Sequence, residues 1–358
     1  MNKINAESAF VKCVHNIYHG DSRRKFPIPK GSADLIVTSP PYPMIEMWDE
    51  TFSNQNIIIG DALKKGDGNR AFEQMHNELD KVWKNIAGVI KEGGIACINI
   101  GDALRTMNGE FKLYANHSRI ISAFLNLGFT LLPDILWRKQ TNSPNKFMGS
   151  GMLPPGAYVT LEHEYILIFR KGNKKKFPLK ENKEIRNSSA YFWEERNIWF
   201  SDIWDFKGAS QKMFNGVRER SGSFPFELAY RLISMFSVKG DTILDPFLGQ
   251  GTTIFAAAAA QRNSIGIELE SGLINQISSQ FKGNFKNHLN SFIQARIKNH
   301  LSFVEETEKK KGKQFFKYRN KNHKFPVMTS QEVNLQINCI KKIYREGKDF
   351  ITEYESSR

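Results

Sequence analysis

The spacing of hydrophobic residues along this 358-residue chain predicts alternating strands and helices. Short apolar runs are typical of buried strands, and apolar residues three or four apart are typical of half-buried helices. The predicted strands are residues 34–37, 95–100, 131–137, 165–169, 242–244 and 264–267. The predicted helices are residues 72–90, 117–127, 227–236, 252–262 and 333–344. Because helices alternate with short strands, we expect an α/β fold with a parallel sheet and helices on both faces.

Two stretches interrupt this pattern. Residues 140–220 are rich in Asn, Ser, Gly, Lys and aromatic residues, which favours an irregular insertion or small subdomain. Residues 309–324 contain eight Lys or Arg and no acidic residue. That basic run is either a solvated tail or an ordered surface, and its three aromatic residues favour the surface. We therefore divide the chain into residues 1–139, 140–220, 221–300 and a basic C-terminal extension, 301–358.

The charge balance favours a polyanionic partner. The chain has 51 Lys and Arg against 37 Asp and Glu, a net charge of +14. Basic side chains that neutralise phosphates release counterions, which favours binding to nucleic acid. A basic protein without such a partner is the alternative. The three cysteines are far apart, so we expect a reducing, cytoplasmic setting with no metal site. No apolar run is long enough to predict a membrane partner.

A glycine-rich turn follows the predicted strand 242–244, in the segment Leu244–Thr253. Gly249 and Gly251 would let a ligand approach the backbone, and the following helix would offer free N–H groups. Glu268 ends the next predicted strand, where a carboxylate can accept hydrogen bonds from both ribose hydroxyls. Together these features predict a cofactor that contains a nucleoside. A tight turn with a surface glutamate is the alternative.

A second motif, Thr38-Ser39-Pro40-Pro41-Tyr42, follows the predicted strand 34–37. The two prolines fix φ and remove two N–H donors, so this loop mainly offers acceptors. The Ser39 hydroxyl and a proline carbonyl suit the amino group of a flat base, and Tyr42 offers a ring for stacking. A stiff proline turn without chemistry is the alternative. The adjoining residues 44–48 either line the same pocket or form an ordinary packed loop.

The pairing of TSPPY with DPFLGQGTT resembles the amino-methyltransferases of restriction–modification systems. The catalytic motif precedes the cofactor motif, which is similar to the circularly permuted class β, whose target-recognition region would be residues 140–220. The resemblance covers residues 15–275. It implies a Rossmann-like methyltransferase fold, S-adenosyl-L-methionine as methyl donor and double-stranded DNA as substrate. It also implies a cognate restriction endonuclease that acts on the same site. We expect the protein to be a monomer or homodimer.

The resemblance assigns roles to matching residues. The catalytic residues would be Ser39, Pro40, Pro41 and Tyr42. The cofactor-binding residues would be Asp21, Thr38, Asp245, Pro246, Phe247, Gly249, Gly251, Thr252 and Glu268. Segments 98–102 and 135–139 resemble the middle catalytic motifs, and 220–233 resembles the helix that closes over the methionine end. Phosphate contacts are expected from the basic run 309–324 and from Arg138, Lys139, Lys174, Lys175 and Lys176.

Ser39 before the two prolines resembles the cytosine-N4 methylases, whereas Asp or Asn is typical of the adenine-N6 methylases. We therefore expect N4-methylcytosine, formed on a base flipped out of the duplex. Adenine-N6 methylation is the nearest alternative, followed by RNA methylation and a catalytically silent DNA-binding module. A Pro-Cys motif is absent, which argues against methylation at cytosine C5. No residue stands out in the sequence as the acceptor of the amine proton.

Overall fold

The computed structural model describes residues 12–139, 148–207, 224–283 and 285–355. The strands are β1 (Lys12–His19), β2 (Ala33–Thr38), β3 (Ile90–Ile100), β4 (Ala103–Met107), β5 (Glu110–Tyr114), β6 (Phe129–Leu131), β7 (Ile135–Arg138), β8 (Met148–Gly149), β9 (Ala157–Tyr158), β10 (His163–Lys171), β11 (Ile203–Asp205), β12 (Thr242–Asp245), β13 (Asn263–Glu268), β14 (Tyr318–Arg319), β15 (Pro326–Val327), β16 (Ile340–Glu346) and β17 (Asp349–Tyr354). The helices are α1 (Asp49–Gln55), α2 (Ile57–Lys64), α3 (Gly68–Val89), α4 (Asn116–Asn126), α5 (Lys180–Ser188), α6 (Trp193–Trp199), α7 (Phe226–Phe236), α8 (Thr252–Ala259), α9 (Ser271–Lys282) and α10 (Phe285–Lys311).

A mixed sheet of eleven strands forms the centre of the described part of the chain. In space the order is β11, β7, β10, β3, β2, β12, β13, β1, β17, β16, and β6 pairs with β10. Strands β3, β2, β12, β13 and β1 are parallel, as predicted. Strand β10 is antiparallel to β3 and β7, and β17 and β16 form an antiparallel hairpin beside β1. The expectation of a parallel sheet is therefore correct for its central strands and for the pair of β11 and β7, but not for the pairs that β10, β16 and β17 form.

Helices cover both faces of the sheet, as the sequence predicts. On one face, α3 and α4 bury large side chains that include Trp83 and Phe124. The Asp67 carboxylate caps α3 by accepting the N–H of Arg70 at 3.1 Å. The other face is covered by α7, α8, α9 and α10. Helix α8 and its C-cap include the run 256–260, which consists entirely of buried alanines. These small side chains let α8 lie close to the strands.

The prediction of a helix over residues 333–344 is wrong. Within that stretch Leu335, Ile337 and Ile340 are buried, and the first two alternate as in an extended chain. Residues from Ile340 onward form β16, which pairs with β17 on the open edge of the sheet. The predicted strand 131–137 is also interrupted at Pro133, where β6 and β7 separate. A missing backbone donor explains the interruption.

The described parts of the regions 140–220 and 301–358 both contribute strands to the central sheet. The first contributes β10 and β11 to the central sheet, and the second contributes β16 and β17. The basic run 309–324 is ordered: it begins at the end of α10, and the buried Asn320 side chain donates to the carbonyls of Glu332 and Leu335 at 2.8 and 2.9 Å. Among the described residues, no helix has the length and apolar content needed to cross a membrane.

Candidate active site

The parallel strands end at one edge of the sheet, and the two sequence motifs meet there. Strands β2 and β12 are neighbours, with Leu244 opposite Ile36. The TSPPY loop and the glycine-rich loop therefore leave the sheet side by side. Strand β13 lies on the other side of β12, and its last residue, Glu268, pairs with His19 at the end of β1. In open α/β sheets, ligands bind at this carboxyl edge.

A cavity of about 840 Å³ opens at this edge, a volume within the range of small-molecule sites. The predicted site residues that line it are Asp21, Ser39, Pro40, Pro41, Tyr42, Asp245, Pro246, Phe247, Gly249, Thr252 and Glu268. Two others lie behind its wall. Thr38 is fully buried, and Gly251 forms the N-cap of α8. The structure thus brings the two distant motifs into one cavity.

Glu268 is held in a fixed orientation on the cofactor side of the cavity. Its Oε2 accepts the N–H of Gly249 at 2.7 Å, and its Oε1 accepts the N–H of Glu270 at 2.8 Å. Each carboxylate oxygen retains a lone pair for a further donor. Gly249 and Gly251 have φ of 55° and 85°, a left-handed conformation that favours glycine. The loop therefore leaves its backbone accessible and holds the Glu268 carboxylate in one orientation.

Asp245 is a buried carboxylate in the wall between the two motifs. Its oxygens accept hydrogen bonds from the hydroxyls of Thr38 at 2.5 Å and Thr253 at 2.6 Å, and from the N–H of Phe247 at 3.0 Å. Burial raises the pKa of Asp245 to about 6 despite these three donors. Asp245 therefore carries a negative charge at neutral pH, which suits a cationic ligand. Thr38 contributes by orienting this carboxylate.

Asp21 also lines the cavity, next to Gly20, whose N–H donates to the Glu268 carbonyl at 2.9 Å. Burial opposes its ionisation, but the Arg23 guanidinium, 2.6 Å away, holds the pKa of Asp21 below its usual range. Arg23 also contacts Glu78 at 2.9 Å, so the end of the cavity is a network of charged groups. The loop after the TSPPY motif contributes as well: Trp48 lines the cavity, whereas Met44 is buried in the core.

On the other side of β2, a second group of side chains lines the cavity. Strand β10 is antiparallel, so its first residues lie at the carboxyl edge of β3. This places Glu164 beside Tyr42 and within bonding distance of Asn99, which projects from β3. The Lys139 ammonium, just after β7, forms an ion pair with the Glu164 carboxylate. Sequence reasoning missed Glu164, although an acidic residue at the start of an apolar strand was a visible signal.

The hydrogen bonds among these residues have a defined direction. The Asn99 amide nitrogen can only donate, and it lies 2.7 Å from both Tyr42 Oη and Glu164 Oε2. The carboxylate can only accept, so the Tyr42 hydroxyl donates to it at 2.9 Å. Ser39 must then donate its own proton to Tyr42 Oη, at 3.1 Å. The Ser39 oxygen is left with lone pairs that can accept from a group in the cavity.

Tyr42 remains a neutral phenol in this network. Burial, together with the negative charge of Glu164, raises its pKa well above the ordinary value. A neutral phenol can accept one proton while it gives up another. Ser39, Tyr42 and Glu164 therefore form a continuous path for a proton from the cavity to a carboxylate.

The residues predicted to contact DNA are divided between two edges of the sheet. Arg138 and Lys139 lie at the edge with the cavity. Residues 174–176 follow the other end of β10, at the opposite edge. There the Lys175 ammonium contacts Asp34 at 3.0 Å and Asp241 at 2.8 Å, at the starts of β2 and β12. The structure therefore does not place residues 174–176 beside the cavity, because β10 runs against the predicted direction.

The segment that resembles a closing helix is partly described. Phe224 lines the cavity and precedes α7, whereas residues 220–223 lie outside the described residues, as do residues 208–219. The residues 140–147 of the proposed target-recognition region also lie outside them.

Comparison with known proteins identifies the family. A family model described as DNA methylase matches residues 33–279, so the chain belongs to that family, which includes the N6 and N4 methylases. The type II methyltransferase M.MthZI of Methanothermobacter thermautotrophicus is 49% identical over 330 residues, 91% of either chain. The type II methyltransferase M.MjaI of Methanocaldococcus jannaschii is 50% identical over 270 residues, 72% of this chain and 88% of that one.

Solved structures agree with this assignment. TTHA0409 from Thermus thermophilus, complexed with S-adenosyl-L-methionine, is 32% identical with a TM-score of 0.57 and covers 75% of this chain and 94% of its own. The PvuII DNA methyltransferase shares the fold, with a TM-score of 0.53 and coverage of 77% and 89%. The chain is a DNA methyltransferase that uses S-adenosyl-L-methionine, which confirms the predicted fold, cofactor and reaction class.

The described residues fit this cofactor. Its net charge is positive, and the buried Asp245 carboxylate supplies the complementary charge. Glu268 has the free acceptor positions that two ribose hydroxyls require. The backbone at Gly249 carries no side chain that would fill the cradle: a Cβ built there would meet only open space and its own loop.

Proposed function

We propose that this enzyme methylates the exocyclic N4 amine of cytosine in double-stranded DNA and belongs to the permuted class β. The observation that carries the proposal is the free acceptor capacity of Ser39, which the hydrogen-bond directions around Tyr42 require. The Ser39 oxygen and the Pro40 carbonyl accept the two N–H groups of the amine. Tyr42 offers its ring to the base while its hydroxyl is held by Asn99 and Glu164. Ser39 in place of Asp or Asn supports cytosine over adenine.

Two acceptors on the amine change its reactivity. Hydrogen bonds that hold both amine protons away from the ring plane reduce conjugation of the nitrogen lone pair with the base. The lone pair then faces the cofactor side of the cavity, beyond Asp245. When bound there, S-adenosyl-L-methionine supplies an electrophilic methyl group on a sulfonium that departs as a neutral thioether. Positioning and polarisation by the protein account for most of the acceleration in this proposal.

The methylated nitrogen must lose one proton. We assign this proton to the path from Ser39 through Tyr42 to Glu164. Ser39 accepts the amine proton as it passes its own to Tyr42, and Tyr42 passes its proton to Glu164 Oε2. Lys139 stabilises the carboxylate in the resting state through its ion pair. In this proposal Glu164 is the final proton acceptor, a residue that the sequence did not point to.

DNA phosphates are contacted, in this proposal, by Arg138 at the cavity edge and by the basic run 309–324. Arg138 is largely exposed, and its ion pairs with described residues are loose, at 3.7 Å to Glu162 and 3.8 Å to Asp205. We further infer that the enzyme works in the cytoplasm as a monomer or homodimer, with a restriction endonuclease acting on the same site.

The experiment that tests the function is methylation of a defined plasmid by the purified enzyme. Mass spectrometry of the digested nucleosides identifies the base, and sequencing that detects modified bases gives the site. N4-methylcytosine is the expected product, and a Ser39→Ala variant should lose most activity while it still binds the cofactor. N6-methyladenine, or full activity in Ser39→Ala, would contradict the proposal.

A further inference from the structure

The residues just before β10 form an exposed apolar hairpin, which leads into the strand that carries Glu164. Strands β8 and β9 pair through Gly149 and Ala157, and the turn between them is residues 150–156. At its tip Met152 and Leu153 are 84% and 71% exposed, followed by Pro154 and Pro155. Residues 151–161 contain no charged side chain. Large exposed apolar side chains in a cluster are unusual on a soluble surface that has no partner.

The hairpin is a built structure. The Ser150 N–H donates to the Gly156 carbonyl at 2.9 Å, and the Leu153 N–H donates to the Ser150 carbonyl at 3.3 Å. A Cβ at Gly149 would lie 2.1 Å from the Gly156 carbonyl oxygen, so no other residue fits there. The Tyr158 ring stacks on Phe111 of β5 with ring centroids 4.8 Å apart. The tip is therefore held out from the surface by contacts at its base.

The position of the hairpin relates it to the active site. It leads into β10, whose second residue, Glu164, lines the cavity. Its brace, the hairpin of β4 and β5, leaves the carboxyl end of β3 directly beyond Asn99. Arg138 at the end of β7 pairs with His163 at the start of β10, so a basic side chain lies at the same edge of the sheet. An apolar tip at an edge that also carries a basic side chain matches a duplex, which has an apolar base stack between two charged backbones.

We propose that Met152 and Leu153 enter the DNA base stack at the position that the flipped base leaves. This inference rests on the proposed function, because only a base that must enter the cavity leaves such a gap. Apolar side chains, Leu, Met and Pro among them, are the residues that unstack base steps in other DNA complexes. Pro154 and Pro155 have no N–H groups, so the tip enters the stack with fewer donors left without a partner. This wedge, which consists of Met152 and Leu153, lowers the free energy of the state in which the base is extruded. It leaves the methyl-transfer step unchanged.

The test compares two duplexes that carry the recognition site. In one the target base is paired, and in the other it faces an abasic site, where extrusion costs little. Single-turnover methyl transfer is measured for the wild type, for Leu153→Ser, for Leu153→Met and for Leu179→Ser. Leu179 is the matched control, because it is 61% exposed at the opposite edge of the sheet.

Leu153→Ser should slow transfer to the paired duplex by roughly 10–100-fold and to the abasic duplex by less than about threefold. Leu153→Met should keep most of the rate, and Leu179→Ser should match the wild type on both duplexes. Equal losses on the two duplexes, no loss on the paired duplex, or a loss in Leu153→Met as large as in Leu153→Ser would each overturn the wedge. A shift of Leu153→Ser in sedimentation state with both rates intact would also overturn it, in favour of contact with a second copy.

The wedge and the proposed function are refuted by different results. If the wild type yields a product other than N4-methylcytosine, the proposed function is wrong. The ratio of rates on the two duplexes, built around whichever base is methylated, still decides the wedge.

Discussion

Replacement of Glu164 by Gln tests the proton path most directly. Glu164 Oε2 accepts from Tyr42 at 2.9 Å and from Asn99 at 2.7 Å, and Oε1 accepts from Lys139. A glutamine offers one oxygen and one NH₂ group. Whichever way the amide turns, its NH₂ faces either the Lys139 ammonium or the Asn99 NH₂. At least one hydrogen bond is therefore lost, and two N–H donors point at each other. Hydrogen bonds to charged groups contribute about 1.5–3 kcal/mol.

The same free energy, lost from the transition state, corresponds to roughly 10–150-fold in rate, at about 1.36 kcal/mol for each factor of ten. Loss of a proton acceptor typically costs about 10²–10⁴-fold. Because the two effects overlap, we expect kcat of Glu164→Gln to fall by at least about 100-fold. The affinity for S-adenosyl-L-methionine should stay within about threefold, because Glu164 lies on the opposite side of β2 from the cofactor loop.

The assay is single-turnover transfer of a labelled methyl group, together with calorimetric titration of the cofactor. Glu162→Gln is the matched control, since this residue precedes the same strand, is 42% exposed and faces Arg138 at 3.7 Å. We expect it to behave as the wild type. A Glu164→Gln enzyme within about threefold of the wild-type rate would refute the path through Tyr42, and equal losses in both variants would point to a general electrostatic effect.

Three further predictions concern the cofactor charge, the packing around Tyr42 and the DNA contacts. Asp245 has a pKa of about 6 in the cofactor-free enzyme, so its charge is present above that pH and lost as the pH falls through it. The dissociation constant of S-adenosyl-L-methionine should therefore rise below pH 6, by at most about tenfold per pH unit, since one proton is linked. In calorimetric titration, Asp245→Asn should bind the cofactor weakly and with no such pH dependence. A pH dependence retained in this variant would exclude Asp245 as its source. A Cβ at Gly101 would lie 3.0 Å from the Tyr42 ring, so Gly101→Ala should cost about 1–3 kcal/mol of stability and lower kcat without loss of cofactor affinity. In the control Gly88→Ala the new Cβ meets open space, so kcat should be unchanged. Thermal unfolding and turnover measure both variants, and an unchanged kcat in Gly101→Ala would contradict the tight packing. Glutamine at three exposed lysines of the basic run should reduce the slope of log K against log salt by about 0.9 for each phosphate contact removed, and an unchanged slope would place DNA elsewhere. Those lysines are Lys310, Lys313 and Lys317.

Much of the cofactor side of the site could be predicted from local sequence. A short buried strand followed by a loop places that loop at the strand's carboxyl end, whatever the rest of the chain does. Because β2, β12, β13 and β1 are parallel neighbours, the residues that follow each of them meet at one edge. Ser39, Asp245 and Glu268 were therefore predictable, since each directly ends or follows such a strand.

The remaining part of the site depends on strand direction, which hydrophobic spacing does not encode. The apolar run of β10 has the same pattern in either direction. Only its pairing with β3 sets it antiparallel. That reversal brings Glu164 to the cavity and carries residues 174–176 to the opposite edge, where Lys175 binds two aspartates.

The C-terminal residues also show that local sequence and tertiary pairing determine different features. The apolar residues of 333–344 are compatible with a helix until the open edge of β1 is taken into account. Strand β17 pairs with that edge, more than 300 residues away along the chain, and β16 pairs with β17, so the backbone groups along these ladders find partners. The motifs, the central strands and the chemistry at their carboxyl ends follow from short stretches of sequence. Tertiary pairing decided which further side chains reach that chemistry, because the direction and partner of a strand depend on contacts far apart in the chain.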